Sequence, residues 1–451
     1  MIASATNQPA APEITAAFDR EIVNVEGGSV RYLVIGIKAP LLPPSDKPRD
    51  PINLGLVIDA SGSMSGHPLD AAKRATVALL DKLAASDHLS LISFADDVVC
   101  HAEAVRLDAA GRETLTAAIR PLTTRGCTDL FGGWTGGCEA VATRRAATEA
   151  SERNHVLLLS DGHANRGETD PRQLSHHASE LRKRGVFSST IGIGQQYSPV
   201  QLQAIAEAGG GRMHDAERPE EIAEIMFAEL TDALATTVDN LELALRLPTG
   251  VEAELYGTAP LNRDAEGCEI LAGSLIAGGS RQLVVKLTFP SGKNAETIPV
   301  AISARWKSPE SEAIQACEVS PVAVRFERAE SCVDQPRNRE LARIVAEQWQ
   351  AHIYHRAMLL NQDGQYEEAT AFAERETRFL ADYCRDLPGF AKDIHVLHEF
   401  SPSLARKYEA ISSKEIFLQS YKMSRGETDR RSRKRQSLSE YVRKEARRRK
   451  P

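Results

Sequence analysis

The sequence predicts a multidomain protein of class α/β plus β plus α, and three patterns along the chain predict it. Short continuous apolar runs alternate with amphipathic segments from residue 52 to about 235. Apolar residues then recur at every second position up to about residue 328, and helical spacing follows over 336–423. A length of 451 residues allows about three domains of roughly 150 residues each. Hydrophobic residues make up 42% and charged residues 26%, which excludes a wholly disordered or collagen-like chain.

The first forty residues divide into two segments. Residues 1–20 are polar and rich in Ala and Pro, so we expect a flexible leader. Residues 21–40 contain the extended apolar stretch from Val30 to Ile37, which the Pro-rich break APLLPPSDKPRDP separates from the α/β region. Because this stretch is typical of a strand and precedes the α/β region, we expect it to pair with the later β-sandwich. The α/β domain is then an insertion.

Residues 52–235 are predicted to form a doubly wound (Rossmann-like) α/β domain. Its candidate strands are INLGLVI, HLSLISF, HVLLLS and VFSSTIGIG, each short and almost wholly apolar, as in a parallel sheet that is covered on both faces. Helical spacing between the first two runs predicts one buried helix face, which comprises Leu69, Ala72, Thr76, Leu79, Leu80 and Leu83.

The remaining chain is predicted to contain a small sandwich, a helical region and a tail. Apolar alternation and the turns LPTG, IAGGS and FPSGKN predict an antiparallel β-sandwich over 238–328. Helical faces on both sides of the break NQDG predict a helical hairpin within 336–423, and a further helix is expected over Leu404–Met423. Residues 424–451 are expected to be a basic disordered tail, since residues 422–451 hold 13 basic and 4 acidic side chains.

Three loops of the α/β domain carry oxygen side chains where the chemistry of a site is expected. The motif DASGSM follows the first apolar run, TTRGCTDLFGG opens a predicted helix, and SDG follows HVLLLS. Ligands of doubly wound sheets bind beyond the carboxyl ends of the strands, where these loops lie. Hydroxyl and carboxylate oxygens suit Mg²⁺, with Mn²⁺ or Ca²⁺ as alternatives. We therefore expect a metal site formed by Asp59, Ser61, Ser63, Thr128 and Asp161.

At these five residues the sequence resembles the von Willebrand factor type A (VWA) domain and its metal-ion-dependent adhesion site (MIDAS), with the likeness covering about 52–235. The resemblance implies that the hydroxyls bind the metal directly, that the aspartates bind it directly or through water, and that a carboxylate of a partner protein completes the coordination. The second loop reads GCTDL where many relatives have GGTNL. Asp129 is therefore expected to add negative charge near the site.

The order of the segments is also similar to bacterial relatives of inter-alpha-trypsin inhibitor heavy chains. This resemblance implies an adaptor, and some bacterial proteins of this kind act beside AAA+ ATPases of the MoxR type. We expect no enzymatic activity. The leading hypothesis is accordingly a metal-dependent protein–protein interaction module that captures an Asp or Glu of a partner.

Two alternatives to the adaptor hypothesis stay open. A metal-dependent hydrolase is supported by the open coordination position, and His67, His155 and His163 are expected near the same edge, although no pair of base and nucleophile is evident. The second alternative is a regulatory scaffold whose basic tail recruits nucleic acid or an anionic membrane. Two local resemblances fail, because Met64 stands both where an EF-hand loop needs Gly and where a nucleophile elbow needs its nucleophile.

The pattern of cysteines and the absence of an apolar secretion signal or transmembrane segment favour a cytoplasmic protein. The seven cysteines are scattered without a Cys-x-x-Cys pair, as expected for reduced thiols. The N-terminus lacks a basic start followed by an apolar stretch, and no run reaches the ~18 apolar residues that a transmembrane helix needs. The net charge of −7 combines an acidic body with the basic tail, a balance that disfavours a dedicated nucleic-acid-binding domain.

Overall fold

The computed structural model describes the chain over six ranges, namely 11–42, 49–148, 152–264, 266–308, 313–425 and 438–448. These ranges contain a β-sandwich, a doubly wound α/β domain and a helical region. The architecture is therefore the predicted class of α/β plus β plus α.

Three strands open the described chain: β1 (Glu13–Phe18), β2 (Ile22–Asn24) and β3 (Ser29–Lys38). β1 pairs with β3 along its whole length. The expectation of a flexible leader over residues 1–20 is therefore wrong for the last part of that segment, and residues 1–10 lie outside the described residues. Ile14, Ala16 and Phe18 alternate towards the sandwich core, a pattern that the Ala-rich composition conceals.

The α/β domain follows, and it contains the four strands that were predicted and two that were not, Val98–Arg106 and Gly210–Ala216. Its elements are β4 (Ile52–Asp59), α1 (His67–Leu80), β5 (His88–Phe94), β6 (Val98–Arg106), α2 (Ala109–Ile119), α3 (Leu130–Ala147), β7 (Arg153–Ser160), α4 (Pro171–Lys183), β8 (Phe187–Ile193), α5 (Pro199–Ala208), β9 (Gly210–Ala216) and α6 (Ile222–Leu234). The sheet has the order β6-β5-β4-β7-β8-β9, and only β6 runs antiparallel to its neighbour. The central strands β4 and β7 therefore end side by side.

Helices cover both faces of this sheet. On β4, Leu56 and Ile58 pack against α1, α2 and α6, while Val57 packs on the other face among residues of α3, α4 and α5. This alternation explains the continuous apolar runs, because every strand residue meets a helix layer. The doubly wound arrangement is thus confirmed.

The chain then returns to the sandwich that the first strands began. Its later strands are β10 (Thr236–Arg246), β11 (Glu252–Tyr256), β12 (Leu261–Arg263), β13 (Gly267–Ile276), β14 (Ser280–Phe289), β15 (Thr297–Lys307) and β16 (Ile314–Glu327). One sheet has the order β1-β3-β14-β11 and the other β12-β13-β10-β15-β16-β2, and their inner faces share one hydrophobic core. The α/β domain therefore stands in the chain between β3 and β10, two strands of the same sandwich.

The C-terminal region is helical. It comprises α7 (Ala329–Asp334), α8 (Arg339–Gln362), α9 (Tyr366–Tyr383), α10 (Ala391–Ser403), α11 (Ala410–Ser424) and α12 (Leu438–Arg448). α8 and α9 form a hairpin at the NQDG break, where Gly364 adopts a φ of +79° that favours glycine. No helix among the described residues is both long and apolar enough to cross a bilayer.

Two predictions for this end of the chain need correction. The helix expected over Leu404–Met423 begins only at Ala410, after the separate helix α10. The basic tail expected to be disordered over 424–451 includes α12, because Leu438, Val442 and Ala446 recur every four residues and are buried against neighbouring helices. The rest of that segment, residues 426–437 and 449–451, lies outside the described residues.

Candidate metal site

The topology of the parallel sheet brings the three oxygen-bearing loops to one edge. Asp59 is the last residue of β4, and Asp161 directly follows β7, its neighbour in the sheet. Thr128 lies just before α3, which packs against both strands. We term the edge at which β4 and β7 end the carboxyl edge.

Asp59 is fully buried and accepts hydrogen bonds on both carboxylate oxygens. The backbone N–H of Ser61 donates to Oδ1 at 2.8 Å, and the hydroxyl of Ser160 donates to Oδ2 at 2.6 Å. The first bond fixes the turn that places Ser61 beyond the strand, as Asp side chains commonly do two residues on. Asp59 therefore orients the loop that contains the two serines.

A chain of side-chain hydrogen bonds connects the first and third loops. Ser63 Oγ donates to Asp161 Oδ1 at 2.6 Å, and Ser61 Oγ lies 3.0 Å from Ser63 Oγ. Because the single hydroxyl proton of Ser63 is directed at Asp161, Ser61 is the donor in the bond between the serines. Hydrogen bonds thus connect four of the five predicted residues. The side chains of Ser61, Ser63 and Asp161 form a chain, and the turn at Asp59 joins Asp59 to Ser61.

Thr128 approaches the same point from the second loop. A Cβ atom built on Gly162 would lie 3.3 Å from Thr128 Oγ1 and 3.4 Å from Ser63 Oγ, so both hydroxyls border the same small space. The backbone of Thr128 is fixed by Asn165, whose Oδ1 accepts from Thr128 N at 3.0 Å and whose N–H donates to Thr128 O at 3.2 Å. The structure therefore brings all five predicted residues together at the carboxyl edge.

The carboxylates of Asp59 and Asp161 are both buried. Burial raises the pKa of Asp161 to about 6, the Ser63 hydrogen bond opposes that rise, and the charge of Asp59 adds to it. Burial likewise raises the pKa of Asp59, against the hydrogen bonds from Ser160 and Ser61. Among the described residues no Lys, Arg or His forms an ion pair with either carboxylate. Both carboxylates therefore lie buried without a basic partner among the described residues.

The donor set fits a hard divalent cation. All five side chains offer oxygen, and three of them are neutral hydroxyls. Within the described ranges no group of three or more His, Cys, Asp or Glu side chains could hold a metal, so this mixed set differs in kind from a zinc or all-carboxylate site. Ser63 is exposed while the other four are buried, which leaves the site open to solvent on the Ser63 side.

Two supporting residues were not predicted from the sequence. Ser160 orients Asp59, and its position directly before Asp161 in the SDG motif was the available signal. Asn165 ties the third loop to Thr128, but nothing in the local sequence distinguishes it from an ordinary loop asparagine.

The structure shows the surroundings of Asp129 and corrects the expectation for one of the three histidines. The carboxylate of Asp129 accepts from Gly132 N at 2.9 Å and caps α3, so its charge faces a helix N-terminus. His155 lies near the amino end of β7, buried beside Glu229, and is therefore remote from the carboxyl edge where it was expected. His67, the first residue of α1, and His163, in the loop after β7, are both exposed.

Residues 53–228 match the model of the von Willebrand factor type A domain family. An uncharacterised protein of Synechocystis sp., sll0103, is 28% identical over 277 residues, which cover 58% of this chain and 63% of that protein. The uncharacterised Escherichia coli protein YfbK is 24% identical over 293 residues, which cover 59% of this chain and 50% of that protein. Human inter-alpha-trypsin inhibitor heavy chain H3 is 28% identical over 207 residues, 44% of this chain and 23% of the heavy chain. The matched region thus spans less than two thirds of each of these relatives.

Two solved structures share the architecture over nearly the whole chain. A von Willebrand factor type A protein from Catenulispora acidiphila superposes with a TM-score of 0.65 at 16% identity, covering 94% of this chain and 98% of that one. The ArnB paralogue VWA2 of Sulfolobus acidocaldarius gives a TM-score of 0.56 at 14% identity, with 92% and 99% covered. At such identities the likeness concerns the fold alone. The chain therefore contains a von Willebrand factor type A domain over residues 53–228 and is related to YfbK and to the inter-alpha-trypsin inhibitor heavy chains.

Proposed function

We propose that Asp59, Ser61, Ser63, Thr128 and Asp161 hold one divalent cation, in the first instance Mg²⁺, with Mn²⁺ or Ca²⁺ as alternatives. The observation that carries this proposal is the pair of buried carboxylates without a basic partner among the described residues, bordered by three hydroxyls. Burial of uncompensated charge is costly, and a bound cation removes that cost.

The five residues would have different roles in holding the cation. Both oxygens of Asp59 already accept strong hydrogen bonds, so this carboxylate supplies charge and positions Ser61. The hydroxyls of Ser61, Ser63 and Thr128 supply neutral oxygens that do not cancel the charge of the cation. When bound, the cation supplies a positive centre towards the exposed Ser63 side of the site.

This arrangement supports a protein-interaction module that captures an acidic side chain. A carboxylate from a partner is the hard anionic ligand that a partly neutralised Mg²⁺ prefers, and the open side of the site gives it access. Of the three histidines considered as candidate bases, His155 lies elsewhere in the domain, and His67 lies 3.1 Å from Glu220. We therefore propose a metal-dependent adaptor rather than an enzyme.

A peptide library displayed on beads tests this function directly. The full chain is incubated with the library in Mg²⁺, and the bound peptides are sequenced. We expect the selected peptides to contain an Asp or Glu whose replacement by Asn or Gln abolishes binding, and we expect EDTA and Thr128→Ala to abolish it as well. Selected peptides that lack a carboxylate, or that stay bound in EDTA, contradict the proposal.

A further inference from the structure

The loop that begins with Asp161 is held by a side chain outside the five candidate ligands. Residues 161–170 connect β7 to α4, and we term them the 161–170 loop. Gln201, on α5, accepts from Ala164 N at 3.2 Å through Oε1 and donates to Thr169 O at 3.0 Å through Nε2. Its amide therefore bridges two points of the loop that are five residues apart. Gln201 is buried, so water does not readily replace either bond.

The bridge by Gln201 affects two of the candidate ligands. Asp161 begins the loop that it holds, and Asn165, between the bridged residues, fixes the backbone of Thr128 from both sides. Only an amide supplies the donor and the acceptor that this bridge needs in a side chain of this length. Displacement of α5 would therefore move the loop and two of the five oxygens with it.

α11 of the C-terminal helical region packs against α5 and against the residues that lead into it. Lys414 of α11 donates to Gly194 O and lies 4.0 Å from the centre of the Tyr197 ring, both in the connection that leads from β8 into α5. It also lies 3.1 Å from Asp215 Oδ1, on β9. The hydroxyl of Tyr197 donates to the same Asp215 oxygen at 2.7 Å. Lys414 is only 8% exposed, so this contact is a buried, specific one.

The C-terminal end of α11 contacts α5 itself. Arg425 Nη1 lies 2.7 Å from Glu207 Oε1, and both side chains are buried. Between these two contacts, Leu418 and Tyr421 of α11 pack into the hydrophobic cluster that contains Leu202 of α5. Ala164 of the 161–170 loop belongs to that same cluster. α11, α5 and the loop thus form one continuous packed unit.

We propose that Gln201 is the positioning residue of the metal site and that Lys414 acts through it, so that docking of α11 on α5 sets the affinity of the site for its cation. This inference rests on the metal site proposed above. The contacts form a contiguous path from the C-terminal helices through α5 to the 161–170 loop. Energetic coupling between the C-terminal helices and the metal site can travel through such a network.

Calorimetric titration of Mg²⁺ into the full chain tests the inference. We expect Gln201→Met, which keeps the length and removes both hydrogen bonds, to weaken Mg²⁺ binding about tenfold. We expect Lys414→Met to weaken it about fivefold. Lys422→Met alters an exposed lysine of the same helix and should bind Mg²⁺ as the wild type does. If Lys414→Met does not fold, Tyr197→Phe, which removes only the hydroxyl that donates to Asp215, should also bind Mg²⁺ more weakly than the wild type.

A double-mutant cycle separates this coupling from general loss of stability. If Lys414 acts through Gln201, the Gln201→Met/Lys414→Met variant should bind Mg²⁺ no more weakly than Gln201→Met alone, whereas additive losses contradict the path. Hydrogen exchange in residues 161–170 should also rise in both single variants. Wild-type protein that binds no Mg²⁺ overturns the proposed function, while wild-type binding that neither variant weakens overturns this inference alone.

Discussion

Ser63 donates a hydrogen bond of 2.6 Å to Asp161, a residue 98 positions further along the chain. The bond joins the loop after β4 to the loop after β7, and Met64, next to Ser63, is fully buried and anchors the first of them. In the protein without metal, this hydroxyl is the direct partner of a carboxylate that burial and Asp59 both destabilise in its charged form. Hydrogen bonds between its own residues thus assemble the site, and no basic side chain within the described ranges pairs with its two carboxylates.

Neutralising Asp161 should stabilise the metal-free protein. We expect Asp161→Asn to raise the free energy of unfolding in EDTA at neutral pH by up to about 3 kcal/mol, because burial and the Asp59 charge raise the pKa of this carboxyl to about 6. Denaturant unfolding in EDTA measures the change, and Asp81→Asn, at an exposed aspartate, is the control. A lower stability of Asp161→Asn would show that the hydrogen bond from Ser63 outweighs the repulsion between the carboxylates.

Close packing of α3 on the sheet depends on particular glycines. A Cβ on Gly133 would lie 2.2 Å from Cγ of the buried Phe94, whereas a Cβ on Gly136 would lie 3.0 Å from Cγ1 of the exposed Val98. We expect Gly133→Ala to destabilise the protein by about 1–3 kcal/mol. Gly136→Ala should be neutral or stabilising by up to about 1 kcal/mol, because alanine favours helix and Val98 can move. Thermal unfolding of the two variants checks this contrast, and equal losses would contradict it.

An ion pair fastens the α/β domain to the sandwich. Arg153, at the start of β7, donates two hydrogen bonds of 3.0 Å to Asp239 of β10, and both side chains are largely buried. Arg153→Met leaves the aspartate without its partner and should cost about 3–5 kcal/mol of unfolding free energy. The double variant Arg153→Met/Asp239→Leu should recover most of that loss.

Lys183→Met is the matched control for this ion pair, since Lys183 and its partner Glu180 are both exposed. It should change the unfolding free energy by less than about 0.5 kcal/mol. A double variant that is no more stable than Arg153→Met would contradict the interpretation that an uncompensated aspartate causes the loss.

The stability of the α/β domain should fall in acid partly through Glu229. Burial alone would raise the pKa of Glu229, but His214, at 2.6 Å, and His155, at 3.6 Å, hold it well below its ordinary 4.5. A carboxyl with a lowered pKa contributes stability that is present above its unfolded pKa and is lost as the pH falls through its folded pKa. Glu229→Gln should therefore be clearly less stable than the wild type at about pH 6, and the difference should shrink at about pH 3.5. A difference that does not change with pH, measured by urea unfolding, contradicts this assignment.

The alternation of apolar runs and amphipathic segments was enough to predict the carboxyl edge. Asp59 and Asp161 directly follow continuous apolar runs, and adjacent parallel strands must end together, so the predicted residues meet without any knowledge of side-chain contacts. Gln201 could not be found in this way. Its bonds to Ala164 and Thr169 depend on how α5 packs, which neither the spacing nor the residue type of a helical glutamine reveals.

The missed secondary structure has a similar origin. In β1 the residues Ala16 and Ala17 weaken the apolar alternation, and pairing with β3 supplies the stability that the local pattern lacks. In α12 three apolar residues lie among many charged ones. The helix is stable because α10 and α11 bury these three residues. Both elements depend on tertiary contacts more than on composition.

Calorimetric titration of Mg²⁺ into the wild type and into the Asp59→Ala/Thr128→Ala double variant is the most direct test of the proposed metal site. We expect one Mg²⁺ bound per wild-type chain and no binding to the double variant, whose far-ultraviolet circular dichroism should match the wild type. Tight binding that the two substitutions leave unchanged would contradict the proposal that these side chains share a cation.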